Sequence, residues 1–353
     1  MKIQDIFDLI GGDIGLHKDS QTCNPELSIS QVSASSHPKP QTLIFISNPD
    51  HAVGVLKSNP AAIVLPQSYE GALPPLDFPV LVSTAPRRHM SMVMQYLSSK
   101  KRNSAFIHPN ASIHESAQIG KNVFISSGVV IEKNSTIGDE CHIGPNVVIE
   151  EAAVLGARVV LKAGVIIGAH CAAGEACYLD FCASIGSEGF GFERDDSGKA
   201  YPIPHQGRVV LGEQVHLGAG TRVDRGTFTD TLIGKQSHFD NMCHIAHNCK
   251  VGSYATVAAC FAMAGSATIG DHFMCGGRVN VSGHLKITDH VTLVPNSSVI
   301  KDIEKPGVYG GTPVLEKGAY FKNLQVSLKL YEFYKDFRAF KKSQKTDPHS
   351  KNK

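Results

Sequence analysis

From Ile107 an aliphatic residue returns at every sixth position, through Ile113, Ile119, Ile125, Ile131, Ile137, Ile143, Ile149, Leu155 and Leu161 to Ile167. A second column stands two residues ahead of the first and is small or β-branched, as at Ala111, Val123, Ser135, Cys141, Val147 and Val165. The rhythm resumes at Leu211, Leu217 and Val223, then runs rephased from Ile233 through Ile245, Met263 and Val281 to Val299. No helix and no ordinary hairpin repeats every six residues. A solenoid of short parallel strands does, each hexapeptide forming one side of a triangular coil. Side chains alternate along a strand, so both columns point inward. Gly follows the column residue at Gly120, Gly138, Gly144, Gly156 and six later positions, where it is expected to supply backbone freedom at the corners. Three hexapeptides, 18 residues, make one coil. Successive coils stack at the strand spacing of about 4.8 Å. The fold class expected is therefore mainly β.

A chain of 353 residues has room for more than this solenoid. Its net charge of +2 supplies no bulk field for nucleic acid. Nine Cys, an odd number with several in inward columns, read as reduced, buried thiols of a cytoplasmic protein. The opening MKIQDIFDLIGGDIGL lacks the apolar core and cleavage site of a signal peptide. No apolar run approaches the ~20 residues that cross a bilayer, so no integral membrane segment is expected.

Residues 1–102 lack the rhythm and read as a small α/β domain. Helices are predicted over Ile3–Ile10, Ala52–Leu56 and Arg87–Leu97, the last packing through Met90, Val93, Met94 and Leu97. Strands are predicted at Thr42–Ile46, Ala61–Leu65 and Val80–Val82. The solenoid is assigned to 103–305, interrupted by a glycine-rich and then polar loop at 186–210. So long a loop in so regular a fold points to function rather than to a tolerated insertion. Residues 306–353 form a turn-rich exit, a helix over Glu316–Lys342 and a polar tail. Along that helix Phe321, Leu324, Leu328, Tyr331, Tyr334 and Phe337 make an apolar stripe that needs a partner surface.

The densest polar cluster runs from Asp240 to Cys249. Counting by coils, Gly265 lies 18 residues after His247 and His284 lies 36 after Asn248, so all four should share one edge. Asp240, seven residues before His247, is expected one face back in the same coil and convergent with it. Solenoids also stack like residues into ladders, which is the plainer reading of His216, His238, His272 and His290. Cys243, His244, His247 and Cys249 imitate a zinc cluster, but strand alternation sends them in opposite directions, and no metal is assigned.

Several stretches resemble one family. Asp240-Asn241 with His244-Ile245-Ala246-His247-Asn248, Ala264-Gly265-Ser266 and Ser282-Gly283-His284 look like the UDP-3-O-acylglucosamine N-acyltransferases of lipid A biosynthesis. Gly186-Ser187-Glu188-Gly189-Phe190-Gly191-Phe192, Asp224-Arg225-Gly226 and Phe45-Ile46-Ser47-Asn48-Pro49 match the same family, so the likeness spans nearly the whole chain. It implies a left-handed parallel β-helix. It implies transfer of a 3-hydroxyacyl group from acyl carrier protein to the 2-amine of a UDP-linked 3-O-acylglucosamine, with no cofactor beyond the carrier's phosphopantetheine.

Within that reading His247 is the general base, since imidazole titrates in the range an amine nucleophile needs. Asp240 is the group expected to fix its tautomer. Gly265 is expected to donate its N–H to the oxyanion. By resemblance Phe45, by stacking, and Asn48 hold the uracil, and His51, where the family usually has Tyr, is assigned to the same substrate site because imidazole can also stack. His284 and His244 are assigned to the sugar nucleotide, His244 at a position where the family often has Gln. Asn241 and Asn248 are assigned to the pantetheine arm, and the acyl groove to the neighbourhood of Met263 and Val281. Family members associate as trimers, so a homotrimer is expected. Lys317, Lys322, Lys329, Lys335, Arg338, Lys341 and Lys342 offer a basic landing site for an acidic carrier. Other acyl or acetyl transfer to a UDP-sugar, and a metal hydratase on the same solenoid, are the competing classes.

Overall fold

The computed structural model describes residues 1–18, 20, 24–46, 52–69, 76–99, 105–310 and 317–345. The chain divides into two compact units, Met1–Asn103 and Ser104–Lys353.

The first unit contains α1 (Ile3–Ile10), β1 (Ile14–Leu16), β2 (Val32–Ala34), β3 (Leu43–Phe45), α2 (Ala52–Leu56), β4 (Ala62–Pro66), β5 (Val80–Ser83) and α3 (Pro86–Ser99). The strands form one sheet in the order β1-β5-β4-β3-β2, with β1 antiparallel to β5 and the other pairs parallel. Leu43, Phe45, Val64 and Leu81 pack against Ile3 and Ile6 of α1 and Val93 of α3. Their alternates Ile44, Ile63, Leu65 and Val80 pack with Val55 of α2. Burial on both faces is why the central strands read as unbroken apolar runs. The edge strands β1 and β2 are three residues each, too short to show a pattern in the sequence. On α3, Met94 is exposed, so the packed stripe is narrower than expected.

The second unit is a parallel β-solenoid whose three sheets hold ten, nine and eleven strands. Each column residue pairs with the one 18 positions on, as in Ile125, Ile143, Leu161 and Leu179. Both columns form one continuous buried core, from Val123 to Val299. The final strand, Gly307–Tyr309, pairs with Val291–Leu293, so the solenoid runs past the exit expected at 306. A long helix, α4 (Lys317–Lys345), follows, with Phe321, Leu328, Tyr331, Tyr334 and Phe337 exposed. Among the described residues no helix is long and apolar enough to cross a membrane.

The corner glycines have a different role from the one expected. Gly138 does not have positive φ; a Cβ there would lie 2.5 Å from the carbonyl carbon of Gly156 in the next coil. Gly234 meets Gly252 at the same 2.5 Å. These glycines therefore let coils approach closely. The left-handed conformation falls two residues later, as at Glu140 (φ 59) and Arg158 (φ 59). There it is held by inter-coil bonds, Glu140 N–H to Lys121 O at 2.8 Å and Arg158 N–H to Asp139 O at 2.7 Å. Such a conformation costs a non-glycine residue about 1–2 kcal/mol, which the bonded coil stack offsets.

The step between paired residues widens to 38 where Leu179 meets Leu217, and to 22 where Leu217 meets Phe239. The extra residues lie within a strap over 187–208 and a turn over 225–230. Both leave the ten-stranded sheet and return to the nine-stranded one, so both emerge at a single edge of the prism.

Candidate active site

That same edge carries His247. The strand His244–Ile245 belongs to the ten-stranded sheet and Lys250–Val251 to the nine-stranded one, with His247 and Asn248 forming the corner between them. Gly265 and His284 occupy the same corner in the next two coils. Ser266 N–H donates to His247 O at 2.9 Å, and His284 N–H donates to Gly265 O at 3.1 Å. The coil count made from the sequence placed these three correctly.

His247 is held from several sides. Its Nδ1 lies 3.0 Å from Asn248 Oδ1. The amide of Asn248 is oriented by the inserted turn below it: Thr227 N–H donates to Oδ1 at 3.0 Å, and Nδ2 donates to Thr229 Oγ1 at 3.0 Å. A backbone N–H can only donate, so the atom facing His247 is the amide oxygen. His247 must then donate from Nδ1, and in the neutral ring the lone pair sits on Nε2. That nitrogen lies against Gly265, where a Cβ would come within 2.6 Å of it. The Gly265 N–H donates to no acceptor among the described residues.

The strap closes over the other side. It leaves at Gly186 (φ 90), forms an antiparallel hairpin of Phe192–Arg194 with Ala200–Pro202, and returns through His205. Its root is tied down by Arg225, whose Nε donates to Gly186 O at 2.8 Å, and by Ser187 Oγ donating to Asp224 Oδ1 at 2.8 Å. Its return leg is bonded to the inserted turn, Gln206 N–H to Thr227 O and Gly207 N–H to Gly226 O, both 2.8 Å. The ring of His205 meets that of His247 at 5.1 Å between centroids and 68° between planes.

Asp240 does not join this group. It follows the strand His238–Phe239 of the eleven-stranded sheet, so it stands at the preceding corner, with the whole side His244–Ile245 between it and His247. Its Oδ1 accepts the N–H of Asn241 at 2.7 Å. The expected Asp240–His247 pair is thus corrected: one hexapeptide spans one side, and seven residues lead to a different edge. Asn248, assigned to the pantetheine arm, instead points its amide at His247. Asn241 shares the Asp240 corner, where its Oδ1 accepts Ala219 N–H at 2.7 Å.

His244 projects from the flat side rather than the edge, its Nε2 2.9 Å from Asp224 Oδ2. The hydrogen bond and charge of Asp224 raise its pKa above the ordinary histidine value, against the effects of burial and Arg222. Cys243 and Cys249 point into the core while His244 faces out, so the apparent zinc cluster does not converge. Among the described residues no three His, Cys, Asp or Glu are grouped to hold a metal ion. In the first unit Phe45 is a core residue, 4% exposed and packed among α1, α3 and the sheet, not the open stacking face expected of it. Asn48 and His51 lie outside the described residues.

Sequence reasoning missed His205 and the Thr227–Thr229 support. Both come from insertions with no repeat to count by. The one signal was the break of rhythm itself.

Comparison with known proteins bears on this edge. Residues 102–133, 116–150 and 134–169 match the family model described as bacterial transferase hexapeptide (six repeats). A protein of Methylococcus capsulatus named UDP-3-O-acylglucosamine N-acyltransferase is 31% identical over 325 residues, 90% of this chain and 91% of its own. One of the same name from Coxiella burnetii is 30% identical over 284 residues, 80% of this chain and 82% of its own. The solved structure of an Arabidopsis UDP-N-acetylglucosamine acyltransferase shares the fold, with TM-score 0.54 at 24% identity over 58% of this chain and 71% of that one. The solenoid and its match to the hexapeptide transferase model, taken with these acyltransferase relatives, define a hexapeptide-repeat acyltransferase. Identity at this level across nearly the full length places the chain in the UDP-3-O-acylglucosamine N-acyltransferase family.

Proposed function

We propose that this enzyme transfers a 3-hydroxyacyl chain from acyl carrier protein to the 2-amine of UDP-3-O-(3-hydroxyacyl)glucosamine, giving the 2,3-diacylated sugar nucleotide of lipid A synthesis. The observation that carries the reading is the orientation of His247. Asn248 fixes its proton on Nδ1, which leaves Nε2 as a lone-pair acceptor beside the N–H of Gly265, which donates to no acceptor among the described residues.

Nε2 takes a proton from the amine as nitrogen attacks the thioester carbonyl. The oxyanion of the tetrahedral intermediate is met by the Gly265 N–H. When the intermediate collapses, the C–S bond breaks and the pantetheine thiolate leaves, taking a proton back from His247. His284 stands one coil beyond Gly265 on the same edge, which supports assigning it to the sugar nucleotide. The balance closes without any cofactor beyond the carrier's phosphopantetheine. The reaction is assigned to the cytoplasm and to a homotrimer, the exposed apolar side of α4 being the surface a second copy would cover. Lys322, Lys329, Lys335 and Arg338 of α4 suit an acidic carrier.

The test is a mass-spectrometric assay with UDP-3-O-(3-hydroxyacyl)glucosamine and 3-hydroxyacyl carrier protein. Native protein should form the diacylated product, and folded His247→Ala almost none. No product from native protein across several acyl lengths overturns the reaction; equal product from both overturns the base.

A further inference from the structure

His205 is an anomaly in this protein. Its side chain is 1% exposed, yet among the described residues its two ring nitrogens are the buried side-chain polar atoms that lack a hydrogen-bond partner. Glu188 Oε2 lies 3.4 Å from Nδ1 without forming a hydrogen bond, and the same oxygen accepts the backbone N–H of His205 at 3.0 Å. Unpaired buried polar atoms are costly and normally eliminated. The ring is nevertheless tightly enclosed. A Cβ on Gly189 would lie 2.5 Å from His205 Nε2 and 2.8 Å from His247 Cβ, and one on Gly191 would lie 3.1 Å from His205 Cε1. Three groups, Gly189, His205 and His247, thus share one close-packed contact.

The backbone that carries His205 is fixed on both sides. Ile203 N–H donates to Gly191 O at 2.9 Å, and Gln206 N–H donates to Thr227 O at 2.8 Å. Thr227 is also the residue that orients Asn248. A single hydrogen bond at Nδ1 leaves an imidazole free to pivot about that bond. A rigid wall steeply inclined to its plane, here at 68°, removes the freedom.

We infer that His205 is a positioning residue for His247: the strap's return leg presses its ring edge-to-face on the base and holds Nε2 against Gly265. The inference rests on reading His247 as the base. It uses the ring of His205 and not its nitrogens, which explains why these are left unpaired. Because the strap supplies the wall, the bonds that fasten the strap also align the base.

The experiment compares native protein, His205→Ala and His205→Phe by steady-state kinetics, thermal melting and 15N spectra of the His247 ring. In native protein His247 should show a single Nδ1–H tautomer. His205→Ala should lower kcat by about 10²-fold, as ring misplacement of about 1 Å does, with KM little changed, and its His247 signals should become a mixture. His205→Phe keeps a ring and drops the orphan nitrogens. It should recover most of kcat, keep the single tautomer and melt no lower than native. An unchanged His247 spectrum in His205→Ala overturns the inference, as does a loss confined to KM. Loss of kcat in a well-folded His205→Phe overturns it too, because the nitrogens would then be the working part. The spectra need no substrate, so they decide the question even if the assigned reaction fails.

Discussion

His247 Nδ1 donates to Asn248 Oδ1 at 3.0 Å, and these two residues are neighbours in sequence. The pairing depends on Asn248 holding φ at 61, which turns its side chain back toward the residue before it. Asn248→Ala should lower kcat by about tenfold, the worth of one hydrogen bond of about 1–1.5 kcal/mol. It also releases Thr227 and Thr229, so a fall in melting temperature is expected beside it. Asn248→Asp should lose less, since a carboxylate still accepts from Nδ1. Kinetics with calorimetry on both variants checks the order.

Gly265→Ala should be more damaging at the site than in the fold. The added methyl comes within 2.6 Å of His247 Nε2 and 2.7 Å of its Cε1, so the ring must swing away. Overpacking of this kind costs about 1–3 kcal/mol, and activity should fall to near that of His247→Ala. A variant that kept native kcat would show that Nε2 does not work from this position.

The His244–Asp224 pair gives a pH dependence whose sign is fixed. The pKa of His244 is raised in the folded protein above its ordinary 6.5, first by its hydrogen bond to Asp224 and also by that carboxylate's charge. A raised folded value means the protonated ring is favoured by folding. The contribution is fully present below 6.5 and is lost as pH rises through the folded value. The ring is half exposed, so solvent screens the effect and it should be small. Melting temperatures of native and His244→Gln should differ most in mildly acid buffer and converge in alkaline buffer. A gap that widened with pH would contradict the pairing.

The flanking thiols should be inert. Burial pushes Cys243 and Cys249 up to about 11, so neither is ionised at neutral pH. Iodoacetamide should label them only on unfolding, and peptide mapping by mass spectrometry at rising denaturant reads this directly.

How far the sequence was legible follows from where the count of six holds. Ile245, Met263 and Val281 announce their own stacking, and with them Gly265 and His284 fall on one edge. Asp240 was put with His247 against that count, because only a step of 18 returns to the same edge and a step of about six moves on to the next one. The role of the corner glycines was misjudged for a related reason. A repeat shows that a small residue is needed, but not whether backbone conformation or inter-coil distance demands it. His205 had no register at all, since its place depends on the bonds that Ile203, Gln206 and Gly207 of the strap make to Gly191, Thr227 and Gly226.

The strap's attachment to the Thr227 turn has a consequence for biogenesis. The catalytic corner draws on residues near 187, 205, 227, 247 and 265, which the ribosome delivers far apart in time. A nascent chain can wind its early coils well before Gly265 emerges, and it remains chemically silent while it does so. Only a chain wound through that later coil, with the strap fastened down, presents an aligned base. On the proposed mechanism, a half-built molecule therefore cannot promote acyl transfer, and the order of synthesis enforces this.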